Sequence, residues 1–386
     1  MPQLSRRSLL GLAGAAGVAA TAGVLELHTA SADEPGIVPF LGKHQSGILT
    51  PQQDRLHVVA LDLTATDKAS VVSLLKTWTA AIERMTSGLE VGGGALPSVA
   101  VAPPDDTGEA QGLTAGRLTV TVGVGGSLLD TLGIARPAAL KDLPHFAGDQ
   151  LRDEISDGDL VVQACADDPQ VAVHAIRNLV RLAHGTAVVR WSQLGFGRTS
   201  STSPAQQTPR NLFGFKDGTN NAVSDIWVQP SDGPSWLVDG SYLVIRRIAM
   251  TIEQWDRTSL KEQESTIGRH KGSGAPLGMA KERDTLKPLT LPEGSHVREA
   301  HPSVNSGAEM LRRGYSFVDG SDGLGHLDAG LFFMAYMRDP KSFVTVQTNL
   351  AAKDSMNEYI KHTASGLFAV LPGVQRGGWL GQGLLS

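Results

Sequence analysis

Three short stretches carry side chains of the kinds that do chemistry. Gly214-Phe215-Lys216-Asp217-Gly218-Thr219-Asn220-Asn221 offers a carboxylate, Ser295-His296-Val297-Arg298 an imidazole, and Leu311-Arg312-Arg313-Gly314-Tyr315-Ser316-Phe317 two adjacent guanidiniums. A carboxylate can take a proton and return it, an imidazole can ligate a metal or titrate near neutrality, and a guanidinium holds fixed positive charge against a developing anion. Each has a plainer account when read alone. Asp-Gly is a turn signal, and a histidine is more often a surface or satisfied core residue than a ligand. If Arg312 and Arg313 lie on a strand, they face opposite sides and only one can enter a given site.

The elements that must position these groups are legible from periodicity. Strands are predicted at Leu56–Leu63, Leu118–Val124, Leu160–Ala164 and Ala187–Leu194, with helices at Asp67–Met85 and Pro169–Ala183 between them. This β-α-β, β-α-β order is the ferredoxin-like plan. The second half repeats it in topology, with strands at Leu243–Met250, Tyr315–Val318, Leu331–Met337 and Gly366–Val370 and helices at Ile252–Arg269 and Ser342–Ala352. The fold expected is therefore α+β, with two ferredoxin-like (βαββαβ) domains at 33–207 and 208–386, each an antiparallel sheet with helices packed on it. The Ser/Thr/Gly-rich Gly195–Gln207 reads as a linker or crossing loop.

Composition narrows the class further. The 386 residues carry 34 basic and 39 acidic side chains, a formal net charge of −5, without a basic block of the kind a nucleic-acid binder needs. The single Cys165 excludes an internal disulfide framework, a cysteine zinc site and haem attachment through two thiols. No P-loop, dinucleotide fingerprint, His-Glu-x-x-His or Gly-x-Ser-x-Gly occurs. Residues 1–32 read as a twin-arginine signal: Arg6-Arg7, a Gly/Ala-rich run to Leu25, then Ala30-Ser31-Ala32. The alternative is an uncleaved anchor, disfavoured because so short and glycine-rich a run has little affinity for lipid. An exported protein that folds around a cofactor before crossing is the expectation, at a periplasmic, cell-surface or extracellular destination and with no stable membrane span.

In this order the three stretches resemble the dye-decolourising peroxidases, haem enzymes with two ferredoxin-like domains. So do Gly42-Lys43-His44-Gln45-Ser46-Gly47-Ile48, Gln163-Ala164-Cys165-Ala166-Asp167-Asp168-Pro169 and Trp191-Ser192-Gln193-Leu194-Gly195-Phe196. The likeness covers essentially all of the mature chain. It points to the exported subgroup that includes deferrochelatase-type proteins. It implies one haem b per chain in the C-terminal half, hydrogen peroxide as oxidant, a ferryl intermediate, and dyes, phenols or other one-electron donors as reducing substrates. It also allows a homo-oligomer and iron-uptake or copper-protein partners, and it implies no nucleic acid. Release of iron from haem with the porphyrin intact is the alternative activity.

By the same resemblance His296 is the proximal iron ligand, Asp217 the distal acid–base group and Arg312 the distal cation, with Gly218 and Thr219 beside the cofactor. Many relatives continue to an Asn-Pro-Arg where this chain has His301-Pro302-Ser303. His301 is thus a decoy ligand, and Arg298 or Arg198 is left to meet a propionate. Of Phe332 and Phe333, alternation turns one toward the cofactor, and Phe333 is assigned. Asp354 or Glu358 could orient His296, although an exposed acidic helix face is the plainer reading of both. An aspartate base also implies activity at acid to mildly acid pH, because its ordinary pKa is near ~4 rather than the ~6.5 of histidine.

Overall fold

Runs rich in Val, Ile, Leu and aromatic residues become strands because their side chains pack well on a pleated surface. The computed structural model describes residues 36–94, 100–200, 207–221 and 225–386. The twin-arginine stretch, and residues 201–206 of the expected linker, lie outside them. In the N-terminal half, β1 (Arg55–Leu63), β2 (Thr119–Gly125), β3 (Leu160–Ala166) and β4 (Ala187–Arg198) alternate with α1 (Lys68–Thr86), α2 (Gly126–Thr131) and α3 (Pro169–Leu182). Both long helices start where a carboxylate satisfies a free amide. Asp67 accepts from Ser70 N at 2.8 Å, and Asp168 accepts from Gln170 N at 2.7 Å with Pro169 at the first helical position.

The C-terminal half holds β5 (Ser241–Met250), α4 (Ile252–Arg257), α5 (Leu260–Ile267), α6 (His296–Glu299), β6 (Leu311–Arg312) and β7 (Tyr315–Ser321). It continues with β8 (Leu327–Met337), α7 (Lys341–Lys353), β9 (Ile360–Val370) and α8 (Gln382–Leu385). The single helix expected over Ile252–Arg269 is two. The backbone turns extended at Thr258, the Ser259 hydroxyl caps the second helix by accepting from Glu262 N, and Gly268 at φ +91° ends it. β4 runs on to Arg198, inside the expected linker, because Phe196 and Arg198 pair with Ser316 and Tyr315 of β7.

Each half has the ferredoxin-like strand order, β2-β3-β1-β4 and β9-β5-β8-β7, every pair antiparallel. The halves meet at both edges, through β2–β9 and β4–β7, so these strands close into a ring, with β6 added on β8. Closure removes the open edges that would otherwise invite pairing with other chains. Alternate residues of each strand fill the ring, among them Leu56, Val58, Ile245, Phe317, Phe332 and Tyr336. Their neighbours face outward. In the N-terminal half that outer face is covered by α1 and α3. In the C-terminal half, Ile248 and Met250 pack under Phe213, Phe215 and Trp255. Among the described residues, no helix is long and apolar enough to cross a membrane.

Candidate haem-type active site

His296 is the first residue of α6, and its ring is held from behind. Its Nδ1 lies 2.6 Å from Oδ2 of Asp354, whose side chain is only 2% exposed. Asp354 is itself fixed, because it closes α7 through its backbone N–H to Leu350 O (2.9 Å) and its Oδ1 accepts from Met356 N (2.9 Å). The carboxylate therefore accepts a hydrogen bond from Nδ1–H, which holds the proton on Nδ1 and leaves the lone pair on Nε2. Nε2 has no hydrogen bond among the described residues. Burial pulls the imidazole pKa down, but the charge and hydrogen bond of Asp354 outweigh it and the net shift is upward. The ring is desolvated by surrounding protein, yet 28% of the side chain remains open to solvent. It is thus partly open rather than packed into a core.

Asp217 raises the same imidazole's pKa and Arg312 lowers it, so both lie within electrostatic reach of the ring. The two are themselves paired, Arg312 Nη1 donating to Asp217 Oδ1 at 2.8 Å, with side chains 29% and 19% exposed. Asp217 sits on a loop pinned by Phe213 and Phe215, which are buried against Trp255. Asn211 folds the loop on itself, accepting from the amides of Phe213 and Phe215 and donating to Asp217 Oδ2 at 3.4 Å. Gly214 (φ +81°) and Gly218 (φ +79°) take left-handed conformations that a side chain would strain. Thr219 donates to Glu282 at 3.1 Å, and Lys216 bonds to the same carboxylate.

The loop is also joined to β6. The Asn221 side chain accepts from Arg312 N (2.8 Å) and donates to Arg312 O (2.7 Å), standing in for a neighbouring strand. This fixes the backbone from which Arg312 reaches Asp217. Arg313 points the other way, fully buried in the ring, and donates to Thr50 O at 2.6 Å and to Gln53. The alternation of the two arginines is as expected, with Arg312 beside Asp217.

Of the remaining expectations, Phe333 lies on the outer face of β8, half-buried against Phe343 (6.1 Å between centroids), while Phe332 fills the ring. Arg298 donates to Leu291 O (3.1 Å) and pairs with its neighbour Glu299 (3.4 Å). Arg198 pairs with Asp54 at 3.5 Å, at the end of β4. Among the described residues, neither arginine contacts His296, Asp217 or Arg312. His301 caps the turn 302–304, accepting from Ser303 N at 3.2 Å, which accounts for it without a ligand role. The plainer reading of Asp354 is overturned, because it is buried and orients His296; Glu358 is exposed.

Sequence reasoning missed three supporting groups: Asn221, Glu282 and Arg269. The Arg269 guanidinium is buried, donates to Gly274 O (2.7 Å) and Glu282 O (3.0 Å), and lies within electrostatic reach of Arg312 and Asp217. Asn221 at least lay inside the stretch already singled out. Glu282 and Arg269 carried no local signal.

The chain is similar to known proteins over most of its length. The model of the family described as "Dyp-type peroxidase, N-terminal" matches residues 45–197, and "Dyp-type peroxidase, C-terminal" matches 208–375. The chain is 38% identical to a protein of Yersinia pseudotuberculosis named deferrochelatase, over 99% of this chain and 94% of that one. It is also 38% identical to the deferrochelatase of Escherichia coli K12, over 96% and 94%. The oxyferrous complex of DtpA from Streptomyces lividans superposes with a TM-score of 0.83 at 39% identity, covering 91% of this chain and 98% of that one.

Proposed function

The chain belongs to the Dyp-type peroxidase family, and from that premise we propose that it is a peroxidase with one haem b, consuming hydrogen peroxide and oxidising one-electron donors. One observation carries the reading: an imidazole fixed through Nδ1 by a buried carboxylate, its Nε2 without a hydrogen bond among the described residues, within electrostatic reach of a carboxylate–guanidinium pair. The donor set fits haem. Among the described residues, no group of three or more His, Cys, Asp or Glu side chains could hold a metal by itself. A lone imidazole suits an iron whose four equatorial ligands arrive with the porphyrin.

His296 would hold the iron through Nε2. Bound there, haem supplies the redox chemistry by which peroxide is reduced and the donors are oxidised. Asp354 keeps the Nδ1 proton in place and raises the basicity of the ring. Asp217 takes the proton from one peroxide oxygen and returns it to the other as the O–O bond breaks. Arg312 holds Asp217 in position with one N–H, and its charge stabilises the departing hydroxide.

The purified holoprotein is expected to show a Soret band that shifts on adding peroxide. A His296→Ala variant with the same haem content and spectrum would overturn the ligand assignment.

The relatives named deferrochelatase favour a second reading of the same pocket, iron release with the porphyrin intact. Metal-free porphyrin fluorescence after incubation with haem supports it, and peroxide-dependent dye oxidation without that product counts against it. Export by the twin-arginine route completes the proposal. An Arg6→Lys, Arg7→Lys double variant should remain in the cytoplasm with residues 1–32 uncleaved.

A further inference from the structure

The ring does not close evenly. β4 pairs with β1 from Ala187 to Phe196, but with β7 only at Phe196 and Arg198. Beyond that point β4 and β7 part, and a cavity of about 170 Å³ opens into the ring between them. It lies on the inner face of β5 and β8, whereas Phe333 lies on the outer face. Its apolar surface is Trp191, Phe332, Ile245, Ile155 and Ala364, with Trp191 and Phe332 edge to face at 6.2 Å.

The polar lining specifies a kind of ligand. Arg152 and Arg247 are matched in number by Asp319 and Asp328, so the lining charges cancel and a neutral molecule suits the cavity best. Arg247 has each nitrogen engaged, Nε with Gln193 (3.1 Å), Nη1 with Thr363 (3.3 Å) and Nη2 with Asp319 (2.8 Å) and Asp328 (2.9 Å). Four of its five N–H donors are thus engaged, while a carboxylate accepts about four hydrogen bonds and these two have capacity left. The cavity therefore offers the remaining acceptor capacity of Asp319 and Asp328, with Arg152 beside them, above an aromatic floor. In size it takes one ring, since a cavity of roughly 150 Å³ holds benzene.

We infer that this cavity binds a small neutral phenol, the electron donor of the reaction. The inference rests on the peroxidase reading for the donor's role, and on the cavity alone for its binding. The hydroxyl donates to Asp319 or Asp328 and the ring lies against Trp191 and Phe332. Each phenol gives up one electron and one proton and leaves as a phenoxyl radical. Two of them supply the two electrons and two protons that turn one hydrogen peroxide into two waters. The protons pass to the carboxylates and solvent at the mouth. The electron crosses β8, where Phe332 on the inner face is followed by Phe333 on the outer.

The test fills the cavity. Ile245→Phe and Ala364→Leu are made in the holoprotein, and phenol binding is measured by saturation-transfer NMR without peroxide, alongside steady-state KM for phenol. Wild type should bind phenol saturably. Both variants should weaken binding and raise KM at least tenfold, with an unchanged rate of reaction with peroxide and unchanged turnover of ferrocyanide, an anion the cavity does not suit. Equal phenol binding by wild type and by a folded filled variant, or no saturable binding by wild type, overturns the inference. Binding lost on filling, in a protein that never reacts with peroxide, keeps the phenol site and removes the peroxidase reading instead.

Discussion

Replacing Asp354 by asparagine separates charge from geometry at the proximal histidine. The carboxylate performs two tasks, accepting from Met356 N as the cap of the turn 355–358 and receiving Nδ1 of His296 at 2.6 Å. Asparagine caps about as well as aspartate, so the turn survives, and its carbonyl still accepts from Nδ1. What is lost is the charge. A hydrogen bond to a charged group contributes roughly 1.5–3 kcal/mol, about 1 kcal/mol more than a neutral one. Loss of such a partner behind a metal-binding histidine typically weakens the metal about 10- to 100-fold. Asp354→Asn should therefore lower haem affinity about tenfold and raise the reduction potential, because burial then acts on the imidazole with only the weaker influence of Asp217 opposing it. Asp354→Ala should go further, since the cap is lost as well at about 1 kcal/mol. Haem titration of the apoprotein and a spectroelectrochemical titration read both effects. A potential identical in wild type, Asn and Ala variants would falsify the assignment of Asp354 as the group that charges the proximal ring.

Asp217→Ala should slow the stopped-flow reaction with peroxide by about 100-fold or more, and Arg312→Leu by a similar factor. Because the two act as one pair, the double variant should be little slower than either alone. Removing one partner of the fully buried Arg246–Asp149 ion pair, by Asp149→Asn, should cost about 3–5 kcal/mol of stability in chemical denaturation, and an unchanged midpoint would show that the pair adds nothing. Stability should also fall with acid. Burial holds the His57 pKa down at about 4, so between pH 6.5 and 4 the unfolded chain binds a proton that the folded chain does not. The loss should reach about 1–3 kcal/mol by pH 4, absent above 6.5, and His57→Gln should flatten that part of the profile.

The plan of each half was legible because it is written locally, in strand and helix periods and in the caps Asp67 and Asp168. Closure of the ring was not. β2–β9 and β4–β7 are pairings between distant segments, and nothing in either strand's own sequence names its partner. The break at Ser259 was legible in principle, since Ser259-Leu260-Lys261-Glu262 has the spacing of a capping box. The continuous apolar pattern concealed it. At the site, His296, Asp217 and Arg312 stood in recognisable stretches, whereas Asp354 meets His296 across 58 residues. Which of two acids orients an imidazole is a property of how α6 and α7 pack, and four-residue spacing misleads when Asp354 ends one helix and caps the next turn.

The closed ring explains why neighbouring residues can serve opposite sides without confusion. A slip of one residue turns every side chain of a strand to the other face, and here it would carry Arg312 into the ring and Arg313 into the site. Arg313 opposes that slip. It is fully buried, and it bonds Thr50 O and Gln53, both from the N-terminal half. Among the described residues the Arg312 guanidinium bonds instead to Asp217 and the backbone of Asn220, both from the C-terminal half. The N-terminal half thus contributes to the site without touching it, by accepting the arginine that must not be there. The same logic should make Arg313→Leu costlier to peroxide turnover than its distance from the chemistry suggests. The buried acceptors left behind would be unsatisfied at about 1–3 kcal/mol each, and the register of β6 would lose its lock.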